Sequence, residues 1–159
     1  MVVLKIILTL LLIAICIQDI KDREVYWFLF PLTAILAGIL LFKNSSAGLF
    51  LTTIGINLSF VSILLLSIWL YSSLKLKQSL FEVFGSGDLL LFLALIFSFS
   101  SISFFIIFVF GLVFSLTLHL IIKKNSKHTT VPLAGYLSLF FAISYLSQWS
   151  GIINTLYTF

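Results

Sequence analysis

Charge is what this sequence has least of. Only 9% of its 159 residues are charged, five acidic and nine basic, while 62% are hydrophobic. With a mean hydropathy of +1.28, such a chain has too little polar surface for a soluble domain. The single cysteine, Cys16, excludes an intramolecular disulfide and a paired-cysteine zinc site. It lies in an apolar run, where a free thiol packs as a small hydrophobe. That run, "LIAIC", carries Ile15 where lipoprotein processing needs a small side chain. The net charge of +4 does not describe a nucleic-acid surface, because the basic residues are scattered over loops and form no basic face. No ordered carboxylate cluster supports magnesium chemistry, so neither metal nor cofactor is expected.

What the sequence has is long apolar runs. They lack the strict alternation of an outer-membrane barrel, so the expectation is an all-α, polytopic membrane protein, a single bundle over residues 1–159. Six segments are marked by hydropathy: Val2 to Gln18, Trp27 to Phe42, Ala47 to Tyr71, Asp88 to about Ser100, about Ser103 to Ile122, and Val131 to about Trp149. The first follows one early lysine, Lys5, has no cleavage site of the small-x-small kind, and reads as a retained span. The fourth and fifth are separated only by the serine-rich "SFSSIS". As one helix they would run about 50 Å, too long for a roughly 30 Å hydrocarbon core, which predicts a tight helical hairpin with a short fourth helix. Serines that hydrogen-bond back to the backbone would weaken the helix there.

Loop charge orients the bundle. With the N-terminus outside, Lys21, Arg23, Lys75, Lys77, Lys123, Lys124 and Lys127 lie on the inner side against Lys5 and Lys43 outside. The expected location is therefore the cytoplasmic (inner) membrane, in contact with the lipid bilayer. Trp27, Trp69 and Trp149 fall at span ends as interface anchors, and the many phenylalanines face lipid or fill gaps.

The acidic residues are Asp19, Asp22, Glu24, Glu82 and Asp88. On this topology all five fall at the inner end of the bundle. Asp22 and Glu24 alternate with Lys21 and Arg23 in a loop that reads as solvated, and Glu82 reads as a loop charge. Asp19 ends the first span and Asp88 opens the fourth, so the two meet at one depth if those helices pack as neighbours. Carboxylates brought together in a low-dielectric site cannot both ionise: one stays protonated as an acid while the other deprotonates a water. That is aspartic-protease chemistry. Gly85 and Gly87 remove side chains just before Asp88, which frees the backbone and permits close approach. His119, within the fifth span, reads as a packing residue, His128 as a loop residue, and Pro132 as the opening of the last helix.

In these residues the chain resembles the type IV prepilin and preflagellin peptidases. "QDIKDREVYWFLFPL" looks like their first signature, "GSGD" is similar to the G-x-G-D motif that carries their second aspartate, and "TVPLAGYLSL" resembles the stretch that opens their last helix. The resemblance implies Asp19 and Asp88 as the catalytic pair and Gly85, Gly87 and Pro132 as supporting or substrate-binding residues. It also implies cleavage of prepilin-like leaders at the cytoplasmic membrane face. Val25, Tyr26 and Trp27 stand where the family has Ile-Pro-Asn, and Leu90 stands where it often has lysine. The cysteine-rich domain of the larger enzymes is absent, so its methylation activity is not implied. Presenilin-like proteases share G-x-G-D in longer bundles. The competing expectations are a non-catalytic assembly component and a proton- or cation-coupled transporter, which would place acids deeper and on both sides of the midplane.

Overall fold

The computed structural model describes residues 2–77, 84–122, 131–152 and 156–157. Glu82, His128, Lys123, Lys124, Lys127 and Thr130 lie outside the described residues. The chain is all-helical, with α1 Val2–Asp22, α2 Leu29–Lys43, α3 Ala47–Tyr71, α4 Ser86–Leu95, α5 Ser101–Ile122 and α6 Leu133–Trp149. A π-helical turn, Ser72–Leu76, continues α3. Three segments among the described residues are long and apolar enough to cross a membrane: α1, α5, and α3 with its continuation to Lys75. α2 and α4 are shorter apolar helices. At 1.5 Å per residue, α4 is only about 15 Å long and α5 about 33 Å.

Every helix is apolar all round, so packing is set by residue size rather than by an amphipathic stripe. α1 packs most extensively on α6, which also holds α5, while α2 packs on both α1 and α4. The buried face of α1 runs through Leu8, Leu12, Ile15 and Asp19, spaced three or four apart. α6 meets its neighbours with Ala134, Gly135, Ser138 and Ala142, all buried and small. At the α5–α6 contact a Cβ on Gly111 would lie 2.6 Å from Leu137 Cδ1, so any larger residue there would force the Leu137 side chain to move.

α3 is the loosest member of the bundle. It buries only Thr53, Asn57 and Val61, and its ring contacts to other helices are Phe50 against Phe42 and Phe60 against Phe104, Phe105 and Phe108. Asn57 nevertheless shapes the fold. Its Nδ2 donates to the carbonyls of Ile96 (2.9 Å) and Phe99 (3.2 Å), in the break between α4 and α5. Tyr145 Oη donates to Ser98 O at 3.2 Å, and Ser100 donates from both N and Oγ to Leu156 O. The expected break and short fourth helix are present, and side chains from other helices fasten them. Ser98 Oγ is buried without a partner, and the freed carbonyls are satisfied by side chains from α3 and α6.

Helix boundaries shift in ways that bear on the site. α1 continues to Asp22, so Asp19 sits within the helix and on its core-facing stripe. α4 begins at Ser86, which places Asp88 third in the helix instead of first.

Candidate functional site

Asp19 and Asp88 come together at one end of the bundle, and α6 is the element that joins them. Expected as close neighbours, α1 and α4 are not among the main helix contacts; both instead pack on α6. Asp88 Oδ1 accepts from the N–H of Ala134 at 2.7 Å, and Asp19 Oδ2 accepts from the N–H of Gly135 at 2.6 Å. These are consecutive amides in the first turn of α6, where backbone donors have no partner inside the helix and the dipole favours negative charge. Pro132 stands just before that turn, and its carbonyl accepts from Tyr136 N. The two carboxylates lie within Coulombic reach of each other. Asp19 is buried and Asp88 half-buried.

Two glycines make room for this pair. A Cβ on Gly135 would lie 3.1 Å from Asp19 Oδ2, 3.2 Å from Asp19 Cβ and 3.2 Å from the carbonyl oxygen of Cys16. α6 thus approaches α1 closely at Gly135. A Cβ on Gly85 would lie 3.2 Å from Asp88 Oδ2. Gly85 is the N-cap of α4, so the Asp88 side chain reaches back over the start of its own helix. The expectation of unusual backbone freedom is corrected here. Gly85 has φ −62° and ψ 143°, open to any residue, and what glycine supplies is space. Gly87 lies within α4 and a Cβ there would touch Phe30 Cζ at an ordinary 3.7 Å, so no close approach depends on it.

The pair opens onto a cavity of about 850 Å³, within the range of small-molecule and peptide sites. Trp27, Phe30, Phe84, Leu112, Leu116 and Leu133 supply apolar wall, and Asp19, Asp88, Arg23 and Glu24 supply charge. Pro132 does not line it; its neighbours Val131 and Leu133 do. Pro132 therefore acts by starting α6. His119 is buried on α5 and lies outside the lining.

The loop after α1 is less solvated than its alternating charges suggest. Lys21, Asp22 and Glu24 are exposed, but Arg23 is half-buried and its Nε is shielded from water. Its backbone is left-handed, with φ +59°, a conformation that costs a residue with a side chain about 1–2 kcal/mol. The chain then turns toward α2, pinned where Tyr26 N–H donates to Gln18 Oε1 at 3.2 Å. Ala134 and Gly135 were not singled out as site residues from sequence. The available signal was "PLAG", a proline followed by small residues at a helix start, which is a ready anion site.

Among the described residues no group of three His, Cys, Asp or Glu could hold a metal ion. Comparison of the chain with protein-family models, curated proteins and solved structures returned no match.

Proposed function

We propose that the protein is a membrane aspartic endopeptidase that cleaves the leader of prepilin-like proteins at the cytoplasmic face of the inner membrane. The observation that carries this reading is the pair of remote carboxylates, Asp19 and Asp88, held on adjacent amides of one helix start at the wall of a cavity. The resemblance in "QDIKD", "GSGD" and "VPLAG" supports it. So does loop charge, which favours an N-out bundle of six spans with the pair on the inner side.

In this mechanism a water lies between the carboxylates. The ionised member takes a proton from the water as its oxygen attacks the scissile carbonyl, and the protonated member donates to the carbonyl oxygen. The tetrahedral intermediate collapses when a proton passes to the leaving nitrogen, releasing a new carboxyl and a new amine. The substrate's apolar helix packs beside the bundle, and Glu24 at the cavity gives a basic leader a counter-charge.

A non-catalytic reading also has an observation in its favour. Both carboxylates satisfy backbone donors at the start of α6 and would do so in a purely structural protein. Asparagine separates the two, since it keeps a carbonyl acceptor for the amide but cannot hold or release the proton. Co-expressed with a prepilin-like substrate, Asp19→Asn and Asp88→Asn should each lose about a hundredfold or more in cleavage rate at normal protein levels. Retained cleavage in either variant would remove the paired-acid mechanism.

A further inference from the structure

A second concavity lies further along α2, away from the acids. It has a volume of about 470 Å³ and runs past Ala34, Gly38 and Phe42 of α2, Phe50 of α3 and Phe97 from the break after α4, with Lys43 as its one charged member. Gly38 keeps its floor low, since a Cβ there would already touch Phe97 at 3.7 Å. The rings of Phe42 and Phe50 meet edge to face at 5.2 Å and tie the two helices together beside Lys43. Ile35 and Ile39, which also belong to the lining, are exposed, so the groove opens sideways from the bundle and faces acyl chains in a membrane.

The charge at this end has no answer within the protein. Phe30 of the same helix lines the acid cavity, and Lys43 stands thirteen residues further on, about 20 Å away along α2. The four described acids, Asp19, Asp22, Glu24 and Asp88, all gather at the Phe30 end. The first turn of α3, which follows Lys43, has no acidic residue. Lys5, the other cation of this end, sits over the Trp149 ring at 5.3 Å, an attraction that Lys43 lacks among the described residues. An apolar groove that ends in an unpaired ammonium calls for a ligand that is apolar along its length and anionic at its head.

We infer that the groove seats an acyl chain of an anionic phospholipid whose phosphate pairs with the Lys43 ammonium. Size decides against a helix as the occupant. A helix is about 10–12 Å across, and over the roughly 12 Å from Ala34 to Phe42 it would displace about two to three times the volume of the groove. A single file of methylenes is slender enough to lie in it. The inference is independent of the peptidase reading, because it uses neither aspartate nor the cavity beside them.

The test is native mass spectrometry of the full chain in detergent, with phosphatidylglycerol and phosphatidylcholine of the same acyl chains added at equal concentration. The wild type should retain phosphatidylglycerol about fivefold or more over phosphatidylcholine. Lys43→Gln, an exposed change that leaves the core intact, should reduce that preference to about twofold or less. Lys5→Gln, which removes the other charge at this end, should leave it unchanged. Ala34→Phe, which fills the groove and keeps Lys43, should lower retention of phosphatidylglycerol by about fivefold. Equal retention of the two lipids by the wild type would overturn the proposal, and so would a preference that survives in Lys43→Gln or falls equally in Lys5→Gln. Glycerol phosphate, a headgroup without chains, should fail to displace the lipid at equal concentration; displacement would mean that the groove contributes nothing. Disulfide-linked dimers of Ile39→Cys in a Cys16→Ser background would overturn it in favour of a second copy of the chain against this face.

Discussion

Asp19 and Asp88 hold the start of α6 and, on the proposed function, also carry the reaction; single substitutions separate the two. Each accepts a short hydrogen bond from the α6 backbone, so alanine at either position leaves an amide of the first turn without its acceptor, costing about 1–3 kcal/mol. Asparagine should lose activity while keeping most of that stability. Thermal unfolding in detergent should therefore rank wild type, asparagine and alanine in that order. Gly135 offers a sharper test, because its missing side chain faces Asp19 and the Cys16 carbonyl. Gly135→Val should push α6 away from α1 and cost about 1–3 kcal/mol by overpacking, with activity lost although both acids remain. An active, normally stable valine variant would contradict the close approach described here. That Asp19 and Asp88 come together was readable from the chain, since charges are rare in an apolar sequence. The contribution of Ala134 and Gly135 was not, because a backbone amide has no letter of its own.

At the scale of elements, the break between α4 and α5 is fastened by Asn57 together with Tyr145 and Ser100. Asn57 binds two carbonyls released where α4 ends, and Asn57→Leu, close in size, would leave both unsatisfied. The expected loss is about 1–3 kcal/mol, seen as a lower unfolding temperature, with hydrogen exchange rising first at residues 96–100. The break itself was legible from length, since a single helix over both segments would overrun the bilayer. Its fastening was not, because Asn57 is 39 residues from Ile96 and no local pattern links them. Helix neighbours were equally hidden. Lipid-facing and core-facing residues are alike apolar here, so composition marks the spans but not which face of each is buried. The first and fourth helices are expected to touch because each carries an acid at the same depth, whereas nothing in the sequence marks α6 as the bridge between them.

At the scale of the whole molecule, orientation and proton sharing are the quantities to measure. In a Cys16→Ser background, Lys43→Cys should react with an impermeant thiol reagent added outside cells, and Lys75→Cys should react only after the membrane is opened. The reverse pattern would place the acids on the outer side and remove the cytoplasmic substrate. Two acids that share a proton give a cleavage rate that rises and then falls with pH. Either asparagine variant should abolish activity across that range instead of moving the optimum.

The shortness of α4 has a consequence for the surrounding bilayer. A helix of about 15 Å beside one of about 33 Å leaves the acids recessed below the end of the longer helix. In a bilayer, headgroups and water would dip inward along that side to reach them. On the peptidase reading, hydrolysis needs water delivered to a carbonyl that lipid would otherwise keep dry, and local thinning would be the route. Reconstitution in lipids of increasing acyl length should slow turnover, as each added carbon makes the dimple harder to form.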